Sequence, residues 1–560
     1  MATKKKAKKA FAPLDGFFHY RQRGGTFTGE LAAGVGMAVL AVCGMFMNMQ
    51  LVAQLLVTPY AESSMSQIAV NGEVYTMTWL ASMLAATVGT LVMGLVARLP
   101  LVQVTSLSLS CVLVTTVSLN AGLTYYNMLA ICFVANVVYL VIAAVPAVRR
   151  FVVSALPAAV RAALPAAAGL LMAWIAAQLT GLFSVTSTVV PNYGTAANLG
   201  TGFAATSSMT GFSDFSFLSD MYHPQMLLAA VAVVITLVVF AVARRRSLHP
   251  CAKALVWGTV FFLVATILAC GINWKNFNFA LSFLWGRLWM IGSEDAMQVH
   301  FSAALGNLAL GKVFTEGFDF SGFTGNGGNV VTLVATGALS YVFLFLYDAD
   351  STQVAVANER DEEAPDADTM ALPLVVNAGA NVVAAVLGAS PLALGKESVA
   401  GAKDRACSGL ASVTAAVVFA ISAVFWIVPT LFATITSYGI SFNMYGHYGY
   451  TMQLLAQTSF SVADAVMVVV GLSMVVRSFT IDVRDFSQAV PFMATVAATL
   501  LLTNLAAGVA AGVVAHILVN LSAPKRKKGE PKVGLLERVG GVGTCAWAAV
   551  SAVVLVLVAL

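Results

Sequence analysis

Charged residues are scarce in this sequence. Only 10% of its 560 residues are Asp, Glu, Lys or Arg, while 59% are hydrophobic. So few charges cannot cover the surface of soluble domains of this total length, because such surfaces are rich in charged side chains. The composition therefore excludes a water-soluble globular protein. Short charged blocks alternate with apolar runs of about 20 residues, the length of a membrane-spanning helix, and this pattern predicts an all-α polytopic membrane protein.

Motifs of catalysis and of metal or nucleotide binding are also missing. The seven cysteines form no CxxC pair and no Cys/His cluster, and the chain contains neither GxxxxGK[ST] nor HExxH. These absences argue against an enzyme, an ATP-driven pump and a metal site. The net charge of +5 is explained by membrane topology, in which basic residues mark the cytoplasmic side. We therefore do not expect the protein to bind nucleic acid. We also expect no cofactor.

The apolar runs can be counted as about fourteen membrane segments. They lie at 29–55, 75–97, 99–117, 125–147, 160–183, 225–245, 253–272, 331–349, 370–390, 396–405, 407–436, 463–477, 488–502 and 504–521. The last two are separated at Thr503-Asn504, because one long helix there would place the following basic cluster on the wrong side. A further apolar stretch at 541–560 is either another span or a helix packed along the bundle.

Basic residues fix the predicted direction of each span. Lys and Arg concentrate on the cytoplasmic side of membrane proteins. With the lysine-rich N-terminus placed in the cytoplasm, every clustered basic block falls inside: Arg149-Arg150, Arg244 to Arg246, Lys403 with Arg405, Arg477 with Arg484, and Lys525 to Lys528. We therefore expect a multi-pass protein of the cell membrane with a cytoplasmic N-terminus.

Two spans are interrupted by residues that do not suit a straight helix. One interruption runs from Pro100 to Ser110, and the other follows Gly388 through Ser390 and Pro391. They fall in the third and tenth spans, which occupy the same place in each half of seven. Halves of odd length are inverted relative to each other, and interruptions at matching places in inverted repeats are typical of a transporter binding site.

Charged side chains in apolar runs mark candidate site residues, since each costs about 2.5 to 3.5 kcal/mol near mid-membrane. Asp348 and Asp350 end one apolar run, and Lys396 and Glu397 lie in the second interruption. Two alternatives remain for the aspartates, which belong either to a site or to the cytoplasmic end of a helix. Lys396 can neutralise Glu397, which would favour an anionic substrate.

Several segments resemble the purine permeases of the nucleobase–cation symporter-2 family, in the azaguanine-permease-like branch. The segment Leu84 to Pro100 follows the family pattern LAAxxGTLLMGLxANLP, and Ile481 to Pro491 resembles IDWDDLTEAIP. The site segments match less closely, as in a divergent member. In Leu344 to Thr352 the second family aspartate is kept as Asp348, but the first is replaced by Phe345. In Gly388 to Gly401 the chain keeps Ser390, Glu397 and Ser398 and gains Lys396.

The resemblance implies a fold of fourteen spans in two inverted repeats of seven, divided into a core and a gate domain. Short strands are expected at the broken spans 3 and 10. The predicted regions are a basic cytoplasmic tail at 1–28, core spans 1–4 at 29–147, gate spans 5–7 at 148–272, an extracytoplasmic loop at 273–330, core spans 8–11 at 331–436, gate spans 12–14 at 437–521, and a basic linker with a C-terminal apolar helix at 522–560.

The implied function is proton-coupled uptake of a purine nucleobase by sliding of the core along the gate. The candidate substrate-binding residues are Glu397, Ser390, Ser110, Thr105, Phe345 and Asn48. The candidate coupling residues are Asp348, Asp350 and Lys396. Sodium is an alternative coupling ion, and homodimers are common in this architecture. A transporter of the same fold for a small organic or inorganic anion is the alternative function.

Overall fold

A computed structural model describes most of the predicted core and part of the predicted gate. The described residues are 12–56, 64–106, 109–110, 113, 117, 122–179, 183–186, 214–217, 231, 233–242, 249–269, 306, 308–323, 329–424, 465–482, 484–502, 504–522, 543–545 and 549. Residues 1–11 of the predicted tail, most of the loops at 184–223 and 273–329, and most of the stretch at 541–560 lie outside them.

The first half of the chain contains eight described helices and three strands. The helices are α1 (Ala12–Phe18), α2 (Phe27–Leu56), α3 (Ser64–Val92, continued by a π-helical turn at Met93–Ala97), α4 (Tyr125–Ala144), α5 (Pro146–Ala155), α6 (Ala158–Leu179), α7 (Val233–Val242) and α8 (Pro250–Ala269). The strands are β1 (Gln103–Thr105), β2 (Phe183–Thr186) and β3 (Asp214–Phe217).

The second half contains eight described helices and one strand. They are α9 (Lys312–Thr315), α10 (Val330–Glu359), α11 (Ala371–Leu387), β4 (Leu392–Leu394), α12 (Glu397–Lys403), α13 (Gly409–Val424), α14 (Ala465–Arg477), α15 (Phe486–Leu502) and α16 (Leu505–Ser522).

Five of the described helices are long and apolar enough to cross a bilayer. They are Met77–Ala97, Tyr125–Ala144, Ala158–Ala177, Val330–Glu359 and Leu505–Ser522. The protein is therefore a mostly helical membrane protein with several apolar spans. The count of fourteen spans, the inverted repeats and the side of the membrane that each loop faces stay predictions.

The helix boundaries follow local sequence signals. Thr124 starts α4 with a capping box, in which its hydroxyl accepts from the Asn127 N–H at 3.2 Å and Asn127 Oδ1 accepts from the Thr124 N–H at 3.0 Å. Asn504 separates α15 from α16, because its Oδ1 accepts from the N–H groups of Ala506 and Ala507 at 2.9 and 3.3 Å. The predicted break at Thr503-Asn504 is therefore where α15 ends and α16 begins.

The two interrupted spans meet as a pair of short strands. β1 and β4 pair antiparallel, with Gln103 opposite Leu394, Val104 opposite Ala393 and Thr105 opposite Leu392. This two-stranded sheet confirms the strands expected at the two interruptions. A second antiparallel pair, β2 with β3, joins the start of the 184–223 region to a segment further along it.

The helices pack in two groups. In one group, α13 contacts α2 and α3, and α11 contacts α3 and α4. In the other, α15 contacts α6 and α16. Helix α10 contacts α4 in the first group and α6 and α16 in the second. The groups correspond to parts of the predicted core and gate, and the division into these domains stays a prediction.

Glycines allow close approach between α6 and α14. A Cβ added at Gly169 would lie 2.7 Å from the Gly471 carbonyl oxygen and 2.7 Å from Met474 Cβ. Such distances are far inside van der Waals contact, so the two backbones depend on the missing side chain. By contrast, Gly379 in α11 has open space where its Cβ would be.

We predict that Gly169→Ala destabilises the protein by about 1 to 3 kcal/mol, because the added methyl group overpacks the α6–α14 contact. The matched control is Gly379→Ala, where a methyl group meets nothing and the lower helix propensity of glycine is removed. The measurement is the thermal midpoint of the purified variants in detergent. A midpoint for Gly169→Ala equal to that of Gly379→Ala would contradict the prediction.

Candidate functional site

A cavity of about 140 Å³ lies beside the two paired strands. Its polar side is formed by residues next to the sheet and on α10, namely Thr105, Ser106, Asp348, Gly395, Lys396 and Glu397. Its opposite wall is formed by side chains of α6, α14 and α16, namely Ala168, Leu171, Met172, Ile175, Ala176, Met467 and Leu505. Helix α2 adds Leu40, Gly44 and Met45. The cavity thus combines one polar edge with one wholly apolar wall.

Side-chain hydrogen bonds hold β4 at the cavity. The amide of Asn381 on α11 binds both backbone groups of Leu392: its Nδ2 donates to the Leu392 carbonyl at 2.8 Å, and its Oδ1 accepts from the Leu392 N–H at 2.7 Å. Beyond the strand, the Gly395 N–H donates to the Val102 carbonyl at 2.8 Å. These bonds satisfy backbone groups that an irregular segment would otherwise bury without a partner.

β1 is held in a similar way. The Thr90 hydroxyl of α3 accepts from the Gln103 N–H at 2.9 Å and lies 3.2 Å from the Gln103 carbonyl, to which it donates. The Val102 N–H donates to the Ser398 hydroxyl at 3.0 Å, which ties the strand to α12. Both strands are fully buried, so the polar edge of the cavity has a fixed shape.

Glu397 is the first residue of α12, at the end of the β4 segment. Its side chain is buried, and its Oε2 has no hydrogen-bond partner among the described residues. The Thr105 hydroxyl and Asp348 Oδ2, which belong to two other residues lining the cavity, also lack a partner there. Buried polar atoms are nearly always hydrogen-bonded, so three such atoms around one cavity make it the candidate binding site.

Lys396 pairs with Asp348 and not with Glu397. Its Nζ lies 2.8 Å from Asp348 Oδ1, and it donates to the Thr352 hydroxyl at 2.6 Å and to the Asp348 carbonyl at 3.2 Å. Of the partners that the sequence allows for Lys396, the structure thus brings Asp348 into direct contact with it. Adjacent residues of a helical turn point in different directions, so the Lys396 side chain extends towards α10 while Glu397 points elsewhere.

Asp350 lies away from the cavity, in an ion pair with Arg161 of α6. The guanidinium binds the carboxylate through two nitrogens, with Nε 3.1 Å from Oδ2 and Nη2 3.0 Å from Oδ1. The same Nη2 donates to the Pro365 carbonyl at 2.6 Å. Asp350 thus joins α10 to α6 and does not line the cavity.

The other sequence-predicted residues lie near the strands or outside the cavity. Asn48 donates to Ser390 Oγ at 2.6 Å, and both side chains are fully buried behind β4. Ser110 is buried and does not line the cavity. Phe345 is stacked on Tyr139 of α4, with ring centroids 5.9 Å apart and planes 7° from parallel. It therefore belongs to the protein core and not to the cavity wall.

Sequence reasoning missed several residues of the site. Thr352 was signalled by its spacing of four from Asp348 along one helix, and Asn381 by its place in an apolar run. Arg161 was signalled in the same way, as a charge within the fifth apolar run. The apolar wall carries no signal at all, because its Leu, Met and Ile side chains look like any lipid-facing surface.

Comparisons with known proteins place the chain among transporters. No family model matches it. It is 23% identical over 366 residues to the guanine/hypoxanthine permease PbuO of Bacillus subtilis (strain 168), a match that covers 64% of this chain and 69% of that permease. The chain is therefore a multi-pass membrane transporter of small molecules, related to a permease and not to enzymes. It is a distant homologue of PbuO, which confirms the resemblance to purine permeases.

Two solved structures align with this chain at low similarity. The transmembrane domain of a cyanobacterium bicarbonate transporter, BicA, gives a TM-score of 0.45 at 14% identity, covering 87% of this chain and 97% of that domain. The structure of SLC26A9 gives a TM-score of 0.43 at 12% identity, covering 93% of this chain and 70% of that protein.

We predict that Asn381→Leu lowers substrate binding at least tenfold and destabilises the protein by about 1 to 3 kcal/mol. The leucine leaves both backbone groups of Leu392 without their partner, and each buried unpaired group is costly. The measurement is ligand binding to the purified variant, together with its thermal midpoint. Asn136→Leu is the matched control, since Asn136 is also buried and donates only to Cys132 of its own helix. Wild-type binding in Asn381→Leu would contradict the role of this amide.

Proposed function

We propose that this protein is a secondary active transporter that takes up a purine nucleobase such as guanine, hypoxanthine or adenine together with protons. The observation that carries the proposal is the unpartnered Glu397 carboxylate oxygen in a cavity with an apolar wall. A nucleobase is a flat, neutral ring system with hydrogen-bond donors and acceptors around its rim. It needs a hydrogen-bonding edge and an apolar face, and the cavity offers both.

The hydrogen-bonding edge consists of Glu397 and Thr105. A carboxylate accepts from ring N–H groups, and a hydroxyl both donates and accepts, so the pair matches a rim that carries both kinds of group. Both atoms lack a protein partner among the described residues. A bound base therefore supplies bonds that the protein leaves unmade, which is a strong source of selectivity.

The face of the ring would lie against the wall of Leu171, Met172, Ile175 and Met467. Methionine adapts its shape and makes favourable sulfur–aromatic contacts, so this wall can receive a planar ring without an aromatic partner. The volume calls for a small substrate: a cavity of about 150 Å³ binds benzene, this one measures about 140 Å³, and a purine, which is larger than benzene, requires the cavity to widen on binding. Phe345, a candidate substrate-binding residue in the sequence, packs on Tyr139 instead, so we assign the face of the ring to the apolar wall.

Charge favours a neutral substrate over the alternative of a small anion. Lys396, the cation that would anchor an anion, is already paired with Asp348 at 2.8 Å. The remaining charge of the cavity is the carboxylate of Glu397, which repels anions. We therefore propose the purine over the anion.

One proton suffices to neutralise the cavity. Lys396, Asp348 and Glu397 together carry a net charge of −1 when all are ionised, and a proton on either carboxylate brings the sum to zero. Carrying a net charge through an apolar environment is costly, so protonation favours the transit. Asp348 remains our candidate for the proton carrier: its Oδ2 has no partner among the described residues and can take up the proton, and Lys396, which is the counter-ion of the ionised form, then balances the charge of Glu397.

An elevator movement suits the contrast between the two sides of the cavity. The polar edge belongs to β1, β4, α10 and α12, while the apolar wall belongs to α6, α14 and α16. The wall residues that line the cavity are apolar and form no hydrogen bonds with the polar edge, which allows the edge to slide past them. The Arg161–Asp350 pair, which joins α6 to α10, would have to break in that movement.

Uptake into proteoliposomes tests the proposal directly. With an inward proton gradient, radiolabelled hypoxanthine should accumulate. Unlabelled guanine should compete, whereas sulfate and bicarbonate should not. Competition by the oxyanions and none by guanine would replace the purine by an anion.

We predict that Glu397→Gln lowers hypoxanthine uptake at least a hundredfold while leaving membrane insertion unchanged, because an amide accepts at only one atom and presents an N–H to the donors of the base. The measurement is the initial uptake rate. Glu316→Gln is the control, since Glu316 is exposed and lies outside the cavity. Normal kinetics in Glu397→Gln would remove this residue from the site.

We predict that Asp348→Asn abolishes accumulation driven by a pH gradient, because the amide cannot take up the proton. Counterflow of hypoxanthine without a gradient should continue. Asp319→Asn, at an exposed carboxylate, should leave both activities unchanged. Undiminished gradient-driven accumulation in Asp348→Asn would rule out Asp348 as the carrier.

A further inference from the structure

The Lys396 ammonium is surrounded by oxygen atoms from a single turn of α10. Asp348 Oδ1 lies 2.8 Å from Nζ, the Thr352 hydroxyl 2.6 Å and the Asp348 carbonyl 3.2 Å. An ammonium has three N–H donors, and here each has one oxygen partner. The side chain is largely buried, with 13% of its surface exposed.

The same oxygens form an arrangement that suits a free monovalent cation. Hard cations bind carboxylate, carbonyl and hydroxyl oxygens, and this group contains one of each. The Thr352 hydroxyl is held in place because it also donates to the Leu394 carbonyl of β4 at 2.8 Å. Lys396 itself belongs to the segment that follows β4, so its ammonium reaches these α10 oxygens from a different part of the chain.

We propose that the Lys396 ammonium is a built-in counter-ion for Asp348, filling a position that a free monovalent cation would otherwise occupy. The positive charge is covalently attached, so it stays with the site and needs neither capture on one side of the membrane nor release on the other. Substrate transport then requires no sodium at this position. This transport consequence rests on the proposed function, whereas the counter-ion itself does not.

A second buried pair of the same kind provides a comparison. Lys403 Nζ lies 2.8 Å from Glu359 Oε2, and both side chains are as buried as those of Lys396 and Asp348. Glu359, however, also has Arg477 at 3.9 Å. Removing Lys403 therefore leaves its acid partner near another cation, while removing Lys396 leaves the Asp348 carboxylate without a contacting cation in the part of the chain that the structure describes.

The test is the thermal midpoint of the purified full-length protein in detergent, without substrate. Lys396→Ala should lower the midpoint by several degrees, since breaking a buried pair leaves an uncompensated charge. Added methylammonium, which fits the vacated position and has N–H donors, should restore at least half of the loss. Tetramethylammonium, which has the charge and no N–H, should restore none. Neither compound should change the wild-type midpoint.

Two further variants show where the added cation acts. Lys403→Ala should gain little from methylammonium, because Arg477 remains near Glu359. The double variant Lys396→Ala/Asp348→Asn should be more stable than Lys396→Ala and should not respond, because the carboxylate is gone. If Lys396→Ala yields no folded protein, the double variant should still fold, and its failure to fold would overturn the proposal. So would a Lys396→Ala midpoint equal to the wild-type one, or one that methylammonium does not raise.

Uptake separates the two proposals. Wild-type proteoliposomes should take up hypoxanthine equally in sodium and in choline buffers under the same proton gradient, and a requirement for sodium would overturn the transport consequence. If methylammonium rescues Lys396→Ala and no hypoxanthine uptake is found, the counter-ion stands and the purine function fails. If hypoxanthine uptake is found and methylammonium does not rescue Lys396→Ala, the purine function stands and the counter-ion fails.

Discussion

The structure depends on how two breaks in the membrane helices satisfy their backbone groups. Water is absent from the bilayer core, so each unpaired N–H or C=O there costs several kilocalories per mole. The breaks at β1 and β4 pair with each other, and Asn381, Thr90 and Ser398 take up groups that the short strands leave over. Neither break would be stable alone. The pairing is antiparallel, so Ser106 after β1 and Lys396 and Glu397 after β4 lie at opposite ends of the two strands, and all three line the cavity beside them.

The charges at the cavity follow a similar rule of compensation with one exception. Lys396 offsets Asp348 at the polar edge, and Arg161 offsets Asp350 away from the cavity, so both aspartates of α10 are paired. Glu397 has no ion-pair partner among the described residues. A buried group left without a partner is destabilising, and such groups are retained where a ligand completes them. Under the function proposed above, the Glu397 position is where stability is lost in favour of binding.

Much of this arrangement can be predicted from the sequence, because the bilayer imposes simple rules. Span length, the break at Asn504 and the two interruptions follow from apolar runs and from residues that disrupt helices. Rotation about a helix axis is harder to predict, since membrane helices are apolar on all sides and their hydrophobic pattern does not mark the face that lines a site. For this reason the sequence suggests Phe345 as a substrate-binding residue, whereas its side chain packs against Tyr139.

The partner of Lys396 shows the same limit at the level of one side chain. Sequence adjacency suggested Glu397, but neighbours in a helical turn diverge, and the long lysine stem reaches Asp348 across the cavity edge. Asp348 and Asp350 likewise differ by two positions, which places them on different faces of α10, one towards Lys396 and one towards Arg161. The orientation of each charged side chain depends on the tertiary contact between α10 and the β4 segment. These two elements are separate in the sequence.

The two requirements of the proposed substrate are met by different parts of the chain. Hydrogen bonding comes from Glu397 and Thr105, beside the paired strands, whereas the apolar face comes from α6, α14 and α16. A change in the wall, such as a larger side chain at Ala168, alters the shape of the cavity without touching any hydrogen bond of the strands. A change at the strands alters the hydrogen-bonding edge while the wall keeps its packing. Substrate size and substrate chemistry can therefore vary independently in this fold, since no single element controls both.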